Sequence, residues 1–247
     1  LLSLILKNAS LYDPYWSVIP PLAIALIMIE KNNWSLSLIL LLVALSIWAI
    51  RLTYNWGKLW KDFSHVDWRY VNFQKMAPRL YWLISFLAVM LVPTLIVFAQ
   101  LIGPALLVDV PNLEFGFFSI AGTVVIVLSA LLQLVADSQM QNFKKDPANK
   151  GAIMRDGLWK YSRHPNYLGE IMVWWGTYLF YVQQFGLDGI IVAPILMTLL
   201  FVFISVPLME KKILKTRPEY AQYIKEAGML IPFPKQVLSK KTADQEK

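Results

Sequence analysis

The chain alternates long apolar runs with short polar connections, and most of the runs have the length of membrane-crossing helices. The readable spans are residues 16–29, 34–56, 80–103, 115–137, 168–182 and 190–209. The first, Trp16 to Ile29, is short against the roughly 20 residues a spanning helix needs. Pro20-Pro21 near its start predicts a tilted or broken helix. Pro93 predicts a kink in the third span, and Pro194 and Pro207 fall near the ends of the last. The apolar stretch Leu1–Leu6 reads as the end of a truncated first span. The pattern therefore predicts an all-α, polytopic membrane bundle of about seven helices. Residues 1–247 form one membrane domain, with helices 1–114 as the half that admits a substrate, 115–235 as a cofactor half, and 236–247 as a flexible tail.

Composition agrees with that reading. Hydrophobic residues make up 57% of the chain, above the 45–50% usual for soluble domains. The net charge of +7 is distributed by connection. Residues 57–79 hold five Lys or Arg, 138–167 hold six, 210–247 hold nine, and Lys7 precedes the first full span. The alternate connections, 104–114 and 183–189, hold none, and residues 30–33 hold Lys31 alone. The positive-inside rule places the basic segments and the C-terminus in the cytosol and the N-terminus outside. Topology accounts for the charge, so no nucleic-acid partner is expected. Cysteine is absent and only His65 and His164 are present, so no metal site is expected.

The densest polar stretch is GLWKYSRHPNYLGE, Gly157 to Glu170, at the mouth of an apolar span. Pro165 disfavours helix at His164 and predicts a turn, with the helix beginning near Asn166 and Asn166 as its N-cap. Exposed N–H groups at such a start, with Lys160 and Arg163 nearby, suit a phosphate. A capped helix in a positive loop would explain Asn166 and the basic residues. It does not explain Glu170 one turn into an apolar span, nor Tyr161 and Tyr167 around the turn. Upstream, Gln133, Asp137 and Gln141 recur every four residues and Lys144 follows three later, a polar stripe on one helix face. Acid, amide and lysine at that spacing can hold ribose hydroxyls and phosphate. Trp48, Arg51, Tyr54 and Asn55 are read as one face near the end of the second full span. Arg51 there is either a snorkelling side chain or part of a polar face in which Tyr54 meets a ligand and Asn55 or Arg51 orients it. Residues 57–79 read as an interfacial amphipathic segment, in which His65, Asp67 and Arg69 could line a cytosolic mouth.

GLWKYSRHPNYLGE followed by an apolar span resembles the signature of the steroid 5-alpha-reductase C-terminal superfamily, polytopic reductases that include the sterol C14 reductases. ADSQMQNFK upstream and EKKILKTRPEYAQY…LIPFP downstream lie where that family has its other cofactor segments. The resemblance covers about residues 130–234, and a bacterial branch also shares a DP-W start and an RLTYNW segment. It implies an NADPH pocket facing the cytosol, in a bacterial inner membrane. Asp137 and Lys144, with Gln133 on the same stripe, match the helix at ribose and phosphate. Asn166 and Glu170 match the residues that hold the nicotinamide carboxamide, with Tyr167 beside them. Glu210, Arg217, Tyr220 and Tyr223 match the tail segment. Arg163 and His164 join the set by charge and location. The family's Gln/Glu pair for the substrate ketone is missing, which leaves Tyr54, with Asn55, as the candidate catalytic group. The implied reaction is hydride transfer from NADPH to an activated C=C of a lipophilic substrate entering from the membrane lipids. The alternatives are an S-adenosylmethionine-dependent methyltransferase of the isoprenylcysteine carboxyl methyltransferase type, which shares an RHPxYxG turn, and a non-catalytic sterol or lipid binder.

Overall fold

A computed structural model describes residues 8, 12–60, 62 and 68–231. Leu1–Leu6, His65, Asp67 and the tail 236–247 lie outside the described residues, as does the side chain of Arg69. The described chain is all-helical, with one isolated parallel bridge between Ser162 and Gly228. In order the helices are α1 (Tyr15–Lys31), α2 (Leu36–Leu59), α3 (Trp68–Met76), α4 (Tyr81–Ile84), α5 (Val92–Val108), α6 (Phe117–Lys145), α7 (Pro165–Phe185), α8 (Val192–Leu199), α9 (Val206–Thr216) and α10 (Tyr220–Glu226). Four continuous helical runs are long and apolar enough to cross a membrane: Leu36–Leu59, Pro78–Val108, Phe117–Lys145 and Gly189–Thr216. α1 is 17 residues long and continues through Pro20 and Pro21 without a break.

Pro93 and Pro207 act through a different device. Wide π-helical stretches, Ser85–Leu91 and Leu200–Ser205, run directly into α5 and α9, whose first turns carry Pro93 and Pro207. Proline lacks an N–H and crowds the carbonyl four residues earlier, so a locally widened turn lets the helix carry on past it.

The described residues form two compact units, each discontinuous in sequence: residues 1–126 with 175–194, and residues 127–174 with 195–247. In the first, α1 packs on α2 and on α5. Ile24, Met28, Leu38, Leu41, Leu45 and Trp48 are fully buried there. Helix ends leave backbone groups without intrahelical partners, and amide side chains take them up. Asn33 donates to the carbonyls of Val108 and Val110 at 2.9 and 2.8 Å, beside a 2.8 Å Lys31–Asp109 ion pair. Gln183 and Gln184 accept from the N–H groups of Phe118 and Glu114, each at 2.9 Å. α6 and α7 meet in this unit at Gly122 and Gly176, where a Cβ on Gly122 would stand 2.6 Å from the Gly176 carbonyl oxygen. Small residues allow backbones to close to that distance, the usual means of helix association in membranes.

The second unit is built differently. α7 lies against α6 here too, and a Cβ on Gly169 would fall 2.5 Å from Gln133 Cγ and 2.9 Å from the Ser129 carbonyl oxygen. Polar side chains of α6 and α7 meet beside this contact, and those of α9 and α10 bond to the turn that precedes α7.

Candidate functional site

The second unit brings together every cofactor residue expected from the sequence. The turn that leads into α7 is fixed first. Gly157 has φ +58°, and a Cβ there would meet the Gln139 amide at 2.5 Å, so glycine satisfies both the left-handed backbone and the close neighbour. Gln139 Oε1 accepts from Leu158 N at 3.0 Å, and Trp159 Nε1 donates to the Ala136 carbonyl at 3.0 Å. α7 begins at Pro165, one residue before the expected start. Proline has a helical φ and no N–H to waste, so it takes the first helical position. His164, whose carbonyl accepts from Tyr167 N and Leu168 N at 3.1 Å each, stands just before the helix. Asn166 is therefore inside the first turn, and its side chain is available for another partner.

That partner is Asp137: Asn166 Nδ2 lies 3.4 Å from Asp137 Oδ1, 29 residues away in sequence. One turn deeper, Gln133 Nε2 donates to Glu170 Oε2 at 2.8 Å, with both residues buried. The Asn166 Oδ1 oxygen is buried and has no hydrogen-bond partner among the described residues. At the other end of the stripe, Lys144 is exposed. From Gln133 to Lys144 the stripe runs about 16 Å along α6, at about 1.5 Å per residue. Polarity along it changes from buried amide and carboxylate, through a half-buried acid–amide pair, to exposed cations.

Arg163 and His164 do something else. Arg163 is 4% exposed. Its Nε donates to Glu210 Oε1 at 2.7 Å, and its terminal nitrogen donates to the carbonyls of Ile224 and Ala227 at 3.1 and 2.6 Å. His164 Nε2 lies 3.0 Å from the same Glu210 oxygen, and Tyr220 Oη reaches it at 3.5 Å. The backbone joins in: Arg163 N donates to the Gly228 carbonyl at 2.9 Å and Gly228 N to the Tyr161 carbonyl at 3.2 Å. Tyr223 Oη donates to the carbonyls of Trp159 and Ser162. Burial pushes the Tyr220 and Tyr223 phenols well above their ordinary value, so both stay protonated donors. These residues latch the tail onto the turn. Their polar atoms face one another, so Arg163 is a clasp and does not present its guanidinium outward as an anion ligand.

Tyr167 stacks on His164, with ring centroids 5.3 Å apart and planes at 13°, and packs on Phe201. Sequence reasoning missed Arg155, which pairs with Glu226 at 2.6 Å and lies over the Tyr223 ring, and it missed the turn-fixing Gln139 and Trp159. Arg155 and Glu226 are 71 residues apart, so no local pattern announced the pair. Tyr54 and Asn55 belong to the first unit. Tyr54 is 61% exposed with Lys58 Nζ 5.3 Å from its ring centre, and Trp48 on the same helix is fully buried. The two therefore do not share a face, because six residues turn the helix by about 600°, leaving them about 120° apart.

Comparison with known proteins gives a family and one distant relative. An uncharacterized protein of Schizosaccharomyces pombe is 25% identical over 199 residues, 70% of this chain. The chain spans 58% of that protein's length. No solved structure matches. A protein family of unknown function, DUF1295, matches residues 1–227. The chain belongs to the DUF1295 family.

Proposed function

We propose that this chain is a membrane-embedded, NADPH-dependent reductase acting on an activated C=C bond of a lipophilic substrate. One observation carries the reading: side chains of α6 and α7 that resemble the reductase cofactor set, Gln133 with Glu170 and Asp137 with Asn166, meet pairwise in one compact unit. The fit is chemical as well as spatial. The orphaned Asn166 Oδ1 offers a buried acceptor to a carboxamide N–H, a group that costs stability when left unpaired. The Gln133–Glu170 pair lies next to it and holds the local geometry. Asp137 suits a ribose hydroxyl, and Lys144 with Arg217 suits phosphate oxygens.

Bound there, a reduced nicotinamide supplies hydride to the β-carbon of a conjugated carbonyl. The chain's own part is to orient that ring through Asn166, Tyr167 and Glu170, and to exclude water behind the buried Gln133–Glu170 pair. A hydrogen-bond donor would polarise the carbonyl and lower the barrier by stabilising developing enolate charge, and a proton taken up at the α-carbon would complete the reduction. The charge asymmetry of the connections supports a cytosolic cofactor site.

The test is thermal unfolding of the detergent-purified chain with NADPH, NADH or S-adenosylmethionine. Ligand at 100 times its dissociation constant stabilises by about 2.7 kcal/mol. NADPH is expected to raise the midpoint and S-adenosylmethionine to leave it unchanged. The reverse pattern replaces the reductase with a methyltransferase.

A further inference from the structure

The last membrane-length run carries two side chains to one short stretch of chain around the start of α7. Phe201, in the π-helical stretch Leu200–Ser205, packs on the Tyr167 ring with centroids 5.0 Å apart and planes at 57°. Glu210, on α9, bonds to Arg163 and His164 at 2.7 and 3.0 Å. His164 and Tyr167 stack on each other, so one helical run holds one pair of rings at two points. Nine residues separate Phe201 from Glu210. In an unbroken α-helix they would turn through about 900°, which leaves the two on opposite faces. A π-turn closes its bonds one residue later than an α-turn, and so takes up an extra residue without advancing the face. Without that residue the turn is about 800°, leaving about 80° between the two side chains. Both then fit the stripe, roughly 100° wide, that a helix turns to its neighbours.

Burial follows the same count. Met197, Phe201 and Val206 are buried and Glu210 is largely so, in steps of four, five and four residues. The five-residue step crosses the π-helical stretch, and Phe203 and Ile204 within it are exposed.

We propose that Phe201 is a positioning residue of the ligand site: the π-helical stretch phases the last span so that Phe201 fixes the Tyr167 ring while Glu210 fixes His164, and Tyr167 in turn orients the nicotinamide. The inference rests on the reductase reading for its ligand, whereas the phase of the helix stands apart from it. Phe201 acts through Tyr167, so its effect falls on one end of the cofactor.

The first arm needs no ligand. Deleting Phe203 together with Pro207→Ala removes the extra residue and the proline that crowds a regular turn, giving a plain α-helix with Phe201 and Glu210 in unchanged phase. Its thermal midpoint is expected to stay near that of the unaltered chain. Inserting one alanine after Phe203 turns Glu210 by about 100° from Phe201 and is expected to lower the midpoint sharply. A deletion as damaging as the insertion overturns the phase. The second arm measures affinity by calorimetry on the full detergent-purified chain, for NADPH and for the adenosine bisphosphate that forms its other end. Phe201→Leu keeps an apolar side chain and loses the ring. It is expected to weaken NADPH about 5-fold, roughly the worth of an aromatic pair, and to leave the bisphosphate unchanged. The double variant Phe201→Leu/Tyr167→Leu should bind NADPH no worse than Tyr167→Leu, because two residues acting through one contact are not additive. Equal losses for the two ligands, or losses that add in the double variant, overturn the positioning role. Failure of the unaltered chain to bind NADPH overturns the reductase reading and that role with it, while the midpoints still decide the phase.

Discussion

Two polar clusters in the second unit lie within a few residues of each other and behave in opposite ways. Arg163, His164, Glu210, Tyr220 and Tyr223 turn inward, and their donors find protein acceptors. Asn166 and Asp137 form an open pair 3.4 Å apart, and the Asn166 acceptor oxygen, though buried, has no hydrogen-bond partner among the described residues. Only Pro165 separates the two in sequence. A residue's nearness to a binding motif therefore says little about whether it binds. What decides is whether its polar atoms are already consumed within the fold.

Substitutions can break or sharpen that contrast. The largest loss is expected from Arg163→Ala, which strands the mostly buried Glu210 carboxylate and leaves two carbonyls without their donor. Breaking such a pair by removing one partner costs about 3–5 kcal/mol, read as a drop in thermal midpoint without ligand. A near-neutral result would move Arg163 from the inward cluster to the open one. Asn166→Ala should behave inversely: stability without ligand changes by about 1 kcal/mol or less, while the roughly 2.7 kcal/mol gained from saturating NADPH disappears. Gly169→Ala forces a methyl group against Gln133 and the Ser129 carbonyl, costing about 1–3 kcal/mol by overpacking. Its NADPH affinity should fall as well, since Gln133 carries the Glu170 pair; unchanged affinity would remove that pair from the site.

The smallest effect concerns pH. Burial raises the Tyr220 and Tyr223 phenols in the folded state, whereas in the unfolded chain they ionise near pH 10. Their contribution is complete below about pH 10. Above it the unfolded state alone sheds protons, and stability falls by about 1.4 kcal/mol per pH unit for each phenol. Tyr220→Phe should flatten the alkaline arm of a midpoint-against-pH curve, with little change at neutral pH. An alkaline arm as steep as before would mean that other groups set it.

Much of the fold was legible because a membrane imposes its own length scale. The apolar runs at 34–56, 80–103, 115–137 and 190–209 correspond to the helical runs long enough to cross, with ends displaced by up to about two turns. The α6 stripe was legible for a similar reason: a helix converts a spacing of four into a face, and Gln133 and Asp137 do reach α7. The latch was not legible. Arg163 meets carbonyls 61 and 64 residues downstream, and the sequence carries no period over such a distance. The N-cap was misplaced by two residues, Asn166 for His164, because Pro165 can either stop a helix or open one, and only the surrounding backbone decides. Tyr54 illustrates the remaining difficulty. Aromatic and polar residues crowd the end of α2 at irregular spacing, so a shared face was inferred where the helix turns them apart.

The same long-range bonds have a consequence for the order of synthesis. Arg163 and His164 are made well before Glu210, and before the carbonyls of Ile224 and Ala227 exist. While the ribosome works through the intervening apolar segment, a guanidinium destined for the interior has only water and lipid headgroups as company. The latch is therefore the last of these contacts to set as the chain is made. A lesion in residues 217–228 would fall after the last membrane-length run and still leave the turn before α7 without its partners.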